Sequence, residues 1–377
     1  MREYVLVLLV AAAATFLLAT LAREMSIRIG AVAQVRDRDV HAIPIPTFGG
    51  IAMLGGLGVA VLVAWNLPFL GGDGTENMFK DVWVVLLGGT VVCAVGVIDD
   101  IFELDAVTKA AGEVVAAGIV VLAGVQFYWV PIPGVSTLVL DPTQAALLSI
   151  LVIVATVNAV NFVDGLDGLA TGVVCIGASA FFGYSYIIAA ANNLERSTPA
   201  ALLTAALIGV CLGILPHNFY PARMFIGDAG ALLIGFILAC SAITFTGRYD
   251  PSSVDQGVAG AQASLLPAML PLLLPLAILI VPLVDLVLAV VRRTRAGRSP
   301  FAPDKRHLHH RLLEIGHSHR RAVLLMYLWA SLVAFGALIV SLFTGWRSVL
   351  GLTMLLVVAV LLTFGHPRRI RERVPRS

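Results

Sequence analysis

Long apolar segments recur from one end of the chain to the other, and they leave few choices of fold. Eleven stand out, at about 4–22, 48–67, 82–98, 109–125, 143–160, 168–190, 199–215, 229–246, 265–291, 322–343 and 346–364. Most are close to the ~20 residues that an α-helix needs to cross a bilayer. Backbone groups in lipid must pair internally, so a spanning segment is a helix or a strand of a closed barrel. The apolar/polar alternation of a membrane barrel is absent from these runs. The composition agrees, with 59% hydrophobic residues, 13% charged and a mean hydropathy of +0.94, which excludes an ordinary soluble domain. The expectation is an all-α polytopic membrane protein of about 11 transmembrane helices, a single integral-membrane domain over residues 1–377.

An odd number of spans puts the two termini on opposite sides. The loops after spans 1, 3, 5, 7 and 9, with the C-terminal tail, hold twenty of the 25 Lys and Arg; the other side holds Arg2, Lys80, Arg196, Arg248 and Arg347. The positive-inside rule makes the crowded side cytoplasmic, with the N-terminus outside. The cytoplasmic loops are then about 23–47, 99–108, 161–168, 216–228 and 292–321, followed by a basic tail, 365–377. The first apolar run lacks a basic start and a small-residue cleavage site, so it reads as a retained span. The outside segment VQFYWVPIPGVSTLVLDP is β-branched, aromatic and punctuated by Pro and Gly, which suits a small hairpin near 126–140. Cys93, Cys175, Cys211 and Cys240 lie in apolar segments without metal-like spacing and read as small buried hydrophobes.

The unusual polar residues gather on the cytoplasmic side. Span 3 ends in VGVIDDIFELDAVTK, where Asp99 and Asp100 abut an apolar run. Carboxylates at a helix C-terminus oppose the helix dipole and need a compensating cation, either a divalent metal or Lys109. Span 5 ends in VNAVNFVDGLDGLATG. Asn158 and Asn161 are three residues apart on one helical face, and Asp164 and Asp167 repeat the spacing. Gly165, Gly168 and Gly172 permit left-handed turns and close backbone approach to a ligand. Oxygen-only groups of this kind suit Mg²⁺, although an Asx-turn in a loop writes the same letters. Span 7 leads into LPHNFYPARMFIGDAG, with Asn218, Tyr220, Arg223 and Phe225 in one connector and Asp228 placed either as an N-cap or as a ligand. The longest loop contains PDKRHLHHRL, in which His307, His309 and His310 lie among Lys305, Arg306 and Arg311. That set suits a phosphate clamp, or a basic helix lying on anionic lipid. Acids, amides and a basic loop on one face point to a Mg²⁺-bound phosphate substrate, and the interfacial depth points to a lipid headgroup as the second substrate.

In this order GVIDD, NAVNFVDGLDGLATG, FYPARMFIGDAG and PDKRHLHHRL make the chain resemble the polyprenyl-phosphate N-acetylhexosamine-1-phosphate transferases, over nearly its whole length. The histidine loop is similar to that of the branch that uses UDP-N-acetylglucosamine to prime cell-envelope polymers. The resemblance implies a plasma-membrane enzyme with its site facing the cytoplasm. It would transfer N-acetylglucosamine-1-phosphate from UDP-N-acetylglucosamine to a polyprenyl phosphate, with Mg²⁺ (or Mn²⁺ in its place) as cofactor. It also implies a homodimer and no nucleic-acid partner. By the same resemblance Asp228 is a metal ligand and Asn161 lies near the same ion. Asp99, Asp100, Asp164 and Asp167 form the catalytic acids, Asp99 deprotonating or positioning the lipid phosphate and Asp167 lying towards uracil. Asn218 and Phe225 bind the nucleoside, His307, His309 and His310 contact the phosphates, and Arg306 and Arg311 flank them. The chain departs from the family in its first cytoplasmic loop, where HAIPIPTFGG has Ala42 and Ile43 in the area of a lysine, which leaves that loop's role open. Two alternatives stand beside this reading. Another UDP-N-acetylhexosamine or a UDP-muramoyl-peptide as donor would keep the family but change the substrate. A secondary transporter would place its site near the bilayer midplane on repeated, broken helices, and neither feature is seen in the sequence.

Overall fold

The computed structural model describes residues 1–33, 44–72, 74–132, 136–191, 198–248, 294–295, 317–342 and 346–364. Ten long helices lie within them: α1 (Arg2–Ile29), α2 (Gly49–Trp65), α3 (Glu76–Phe102), α4 (Ala106–Leu122), α5 (Pro142–Val163), α6 (Leu169–Ala191), α7 (Pro199–Asn218), α8 (Gly227–Arg248), α9 (His319–Leu342) and α10 (Trp346–Phe364). Each overlaps one of the eleven apolar segments; the remaining one, 265–291, lies outside the described residues. Eight of these helices are long and apolar enough to cross a membrane, and α2 is a shorter apolar helix. The protein is an all-α polytopic membrane protein.

Helix ends follow local chemistry. Asp105 caps α4 by accepting from the N–H groups of Val107 and Thr108. Asp141 and Gln144 form a reciprocal capping box at the start of α5, with Pro142 at its first position. Thr198 caps α7. A two-residue ribbon without a clear sequence signal ties the end of α1 to the start of α2: β1 (Val32–Ala33) pairs antiparallel with β2 (Ile45–Pro46). The hairpin expected near 126–140 is present, as strands β3 (Trp129–Ile132) and β4 (Ser136–Val139) paired antiparallel.

The bundle is built around α8, whose apolar stretch is buried along its whole length. It packs against α3, α5, α7, α2 and α6, while α1 packs on α7 and α2, and α9 on α6 and α10. The periphery is apolar as well: Leu17 on α1 and Met354 and Leu361 on α10 are exposed, as lipid contact requires. Cys93, Cys211 and Cys240 are buried and all four cysteines are free, which agrees with their reading as packing residues.

Tyr327 of α9 locks the turn between α5 and α6. Its hydroxyl donates to the Gly168 carbonyl, and its ring occupies the space where a side chain on Gly172 would lie. The close approach expected of Gly172 is therefore to this ring. Tyr327→Phe removes this hydrogen bond and leaves the Gly168 carbonyl its bond from the Gly172 N–H, an expected loss of roughly 1 kcal/mol. A thermal melt of the detergent-solubilised protein reads it; an unchanged midpoint would show that the ring alone holds the turn.

Candidate active site

The acids meet at one end of the bundle, where α3 and α5 finish and α4 and α8 begin. Helix α3 runs past the expected span end to Phe102, so Asp99 and Asp100 lie in its last turn. It stops at Glu103, which is left-handed (φ 50°) and donates its N–H to the Asp99 carbonyl. The side chains of the acidic pair diverge. Asp99 Oδ1 accepts from the Leu104 N–H at 2.7 Å, and its Oδ2 accepts from Lys109 Nζ at 2.7 Å. Asp100 turns to the start of α8, accepting from the backbone N–H of Asp228 at 2.9 Å and more weakly from Ala229 at 3.4 Å. The unfavourable end of one dipole is thus answered twice, by an ammonium for Asp99 and by the positive end of another helix for Asp100.

This arrangement overturns the N-cap reading of Asp228. Asp100 does the capping, from 128 residues away, and leaves the Asp228 carboxylate free for other work. Asp228 Oδ1 accepts from Asn161 Nδ2 at 2.8 Å and Oδ2 from Lys109 Nζ at 2.7 Å. The approach of α3 to α8 depends on missing side chains. A Cβ on Gly96 would lie 2.4 Å from Ala229 Cα. Gly227 has φ +67°, and a Cβ there would lie 2.4 Å from both Asp100 Oδ2 and the Thr47 carbonyl oxygen. The first loop gains a role here: Phe225 N–H donates to the Pro46 carbonyl, and the N–H groups of Gly49 and Gly50 donate to the carbonyls of Phe225 and Ile226. PTFGG is a backbone clamp on FIGDAG.

Asn158 and Asn161 lie on the same side of α5 but serve different partners. Asn158 Nδ2 donates to Glu113 Oε2 and to the Val154 carbonyl. Glu113, only 1% exposed on α4, belongs to none of the motifs that marked the site in the sequence. A signal was present all the same: Lys109 and Glu113 are charged residues four apart inside an apolar segment, where ionisable groups are costly and functional.

Asp164 follows the last residue of α5 and is half-buried. Enclosure by protein, reinforced by the carboxylates of Asp228, Asp100 and Asp167, pushes its carboxyl up to about 8. Asp167 is buried at 5% exposure, and its Oδ2 accepts from the Ala222 N–H at 3.0 Å. Asn218 is 2% exposed. Its Oδ1 accepts from the Thr171 hydroxyl at 3.0 Å and its Nδ2 donates to the Met224 carbonyl at 3.2 Å. Asp167 and Asn218 together brace the 219–226 connector, which presents an exposed Arg223 and a half-buried Phe225. His307, His309, His310, Arg306 and Arg311 lie outside the described residues. Beside the same connector, His319 stacks on Tyr220 with ring centroids 4.3 Å apart and Arg320 Nε donates to the Tyr220 carbonyl.

These features define a polytopic membrane protein with an acidic, oxygen-rich site at one end of its bundle. Residues 82–246, which contain that site from Asp99 to Asp228, match the family described as Glycosyl transferase family 4. The decaprenyl-phosphate N-acetylglucosaminephosphotransferase of Mycolicibacterium smegmatis is 44% identical over 368 residues, covering 96% of this chain and 88% of that protein. The enzyme of the same name from Mycobacterium tuberculosis is 44% identical over 89% of this chain and 82% of its own length. The undecaprenyl-phosphate alpha-N-acetylglucosaminyl 1-phosphate transferase of Salmonella typhi is 30% identical over 83% of this chain and 77% of its own. The chain belongs to this glycosyl transferase family.

Proposed function

We propose that this protein transfers N-acetylglucosamine-1-phosphate from UDP-N-acetylglucosamine to a polyprenyl phosphate. A phosphate oxygen of the lipid attacks the β-phosphorus of the donor. The bond from that phosphorus to the bridging oxygen breaks, UMP leaves with the electron pair, and polyprenyl-pyrophosphate-N-acetylglucosamine remains. The observation that carries this reading is the convergence of Asp99, Lys109, Asn161 and Asp228 on one point, joined by hydrogen bonds of 2.7–2.8 Å. Phosphoryl transfer demands positioning and charge balance more than covalent chemistry, and this cluster is built for both. The relatives, named for N-acetylglucosamine transfer, favour that donor over a UDP-muramoyl-peptide.

Among the described residues no three His, Cys, Asp or Glu side chains form a ready metal cage. Mg²⁺ does not need one: it keeps waters and takes one or two carboxylates plus substrate phosphates. The donor set here is oxygen-only and fits that ion, with Asp228 and Asn161 as its holders. Bound there, Mg²⁺ would neutralise charge on the pyrophosphate. Asp99, held by the Leu104 N–H, takes the acceptor's proton or fixes its position. Asp167 and Asn218 act by bracing the connector, so that Phe225 can stack on the uracil. The basic histidine loop shares the phosphate charge. The excess of Lys and Arg on the same side supports a cytoplasmic site. A phosphate monoester is already anionic near neutral pH, which favours a single displacement over a covalent intermediate.

The test is a reaction of purified full-length protein with UDP-N-acetylglucosamine, polyprenyl phosphate and Mg²⁺. UMP and lipid product should appear in equal amounts, and EDTA should stop both. Exchange of UMP with the donor in the absence of lipid would sink the single displacement, and a preference for another UDP-sugar would correct the donor.

The raised Asp164 carboxyl makes a separate prediction. Its folded pKa, about 8, lies above the ordinary value of 3.8, so folding favours its protonated form. That contribution is fully present below the lower value and is lost as pH rises through the upper one. In EDTA the melting midpoint should fall between pH values of about 6 and 8, and Asp164→Asn should flatten that part of the profile. Equal slopes in the two proteins would remove Asp164 as the cause.

A further inference from the structure

The ammonium of Lys109 occupies a crowded position. It lies 2.7 Å from Asp99 Oδ2 and 2.7 Å from Asp228 Oδ2, with only 17% of its side chain exposed. Those contacts bring together two carboxylates 129 residues apart in sequence, which would otherwise repel. A divalent ion held by Asp228 would compete for the same carboxylate, and a neighbouring ammonium would repel it. If metal and lysine both use Asp228, the lysine needs a second place to go.

The structure contains one. Glu113 is four residues further along α4, on the same side of the helix as Lys109. It is 1% exposed, and only half of its carboxylate is satisfied. Oε2 accepts from Asn158, whereas Oε1 is buried with no donor among the described residues. A buried carboxylate oxygen left in this way is costly, and a glutamine would meet the needs of packing and of Asn158 without a charge. Lysine preceding glutamate at this spacing is the weaker orientation of a helical ion pair. That suits a reserve position, one that loses to Asp99 and Asp228 until a stronger cation arrives. Helix α5 serves both positions, with Asn161 on Asp228 and Asn158 on Glu113.

We infer that Lys109 is a displaceable counter-ion: it holds Asp99 and Asp228 together until a divalent ion claims Asp228, and its ammonium then moves to the waiting Oε1 of Glu113. Glu113 and Asn158 are positioning residues, acting on the reaction through Lys109. Charge at the centre stays balanced through the exchange, because the departing ammonium is stored one turn away. This inference rests on the proposed metal site at Asp228.

Mn²⁺ binding to the full-length protein in detergent, read by electron paramagnetic resonance, tests it without any turnover. Lys109→Met removes the competitor and should tighten Mn²⁺ binding by about ten-fold. The same variant should melt earlier than wild type in EDTA and recover when Mn²⁺ is added. Glu113→Gln removes the reserve partner and should weaken Mn²⁺ binding by roughly ten-fold, the scale of outer-shell effects on metal sites. Unchanged or weaker binding by Lys109→Met overturns the competition. Unchanged affinity in Glu113→Gln, whatever its melting midpoint, overturns the reserve site. Should Lys109→Met fail to fold, Glu113→Gln decides alone, since it leaves the buried cation in place. Absence of Mn²⁺ binding by wild type would sink the metal reading and this inference with it, whereas wild-type binding with unshifted variants sinks this inference only.

Discussion

Asp228→Ala should lower UMP release by a factor on the order of 10³ or more, the scale seen when a group that stabilises charge in the transition state is deleted. The fold should survive the change. Among the described residues two side chains donate to Asp228, and each has another recourse: Lys109 keeps its bond to Asp99, and the part-buried Asn161 amide can turn to water. The start of α8 is not stripped of its cap, because the carboxylate that caps it belongs to Asp100. The loss should therefore appear in turnover and Mn²⁺ binding, with a melting midpoint close to wild type. UMP release within ten-fold of wild type would refute Asp228 as the metal holder. A collapse of the fold would mean that the Asp228 carboxylate is structural, contrary to its bonding.

Gly227→Ala should be strongly damaging although it alters no polar group. The left-handed conformation costs a residue with a Cβ roughly 1–2 kcal/mol. The new methyl would also meet Asp100 Oδ2 and the Thr47 carbonyl oxygen at 2.4 Å. Asp100 must then move, and α8 loses the carboxylate from its first N–H groups, a further ~1.5–3 kcal/mol for bonds to a charged acceptor. The expected sum is roughly 3–5 kcal/mol, a large share of the stability of an ordinary domain. Gly30→Ala supplies the control. Gly30 ends α1 with φ +82° and has nothing within 4 Å of its would-be Cβ, so only the conformational cost applies. Thermal melts should separate the two variants clearly, and Gly227→Ala should also lose UMP release. Equal, small effects would mean that the α3–α8 contact adapts, and that Asp100 is not held fixed against the start of α8.

Much of this protein is legible in its amino-acid sequence. The apolar segments specify helices because lipid offers the backbone no other partner, and ten of the eleven are helices within the described residues. The hairpin at 129–139 follows from its β-branched and aromatic residues. The polar clusters also stand out, because a carboxylate or amide at the end of an apolar run is too costly to be incidental. Other features are out of the sequence's reach. The Asn158/Asn161 spacing shows a shared face but not that the two amides serve different acids. PTFGG reads as a turn with a missing lysine, and its work is done by backbone N–H and carbonyl groups that carry no side-chain signature. Asn218 and Asp167 are expected at the ligand and are found buried, bracing the connector beneath Phe225.

By itself, then, the sequence determined the membrane class, the placement of the helices and the side of the bundle on which the chemistry collects. All three follow from local composition and from periods of three or four residues. Tertiary structure alone decided which charge answers which: Lys109 for Asp99 and Asp228, the amino end of α8 for Asp100, and Asn158 for Glu113. Those pairings, apart from Lys109 with its near neighbour Asp99, join residues 45 to 128 positions apart. The pairing of Asp100 with α8 exists because small residues let α3 and α8 approach to backbone contact. Close packing of that kind depends on how whole helices fit together, and no local pattern along one helix encodes it.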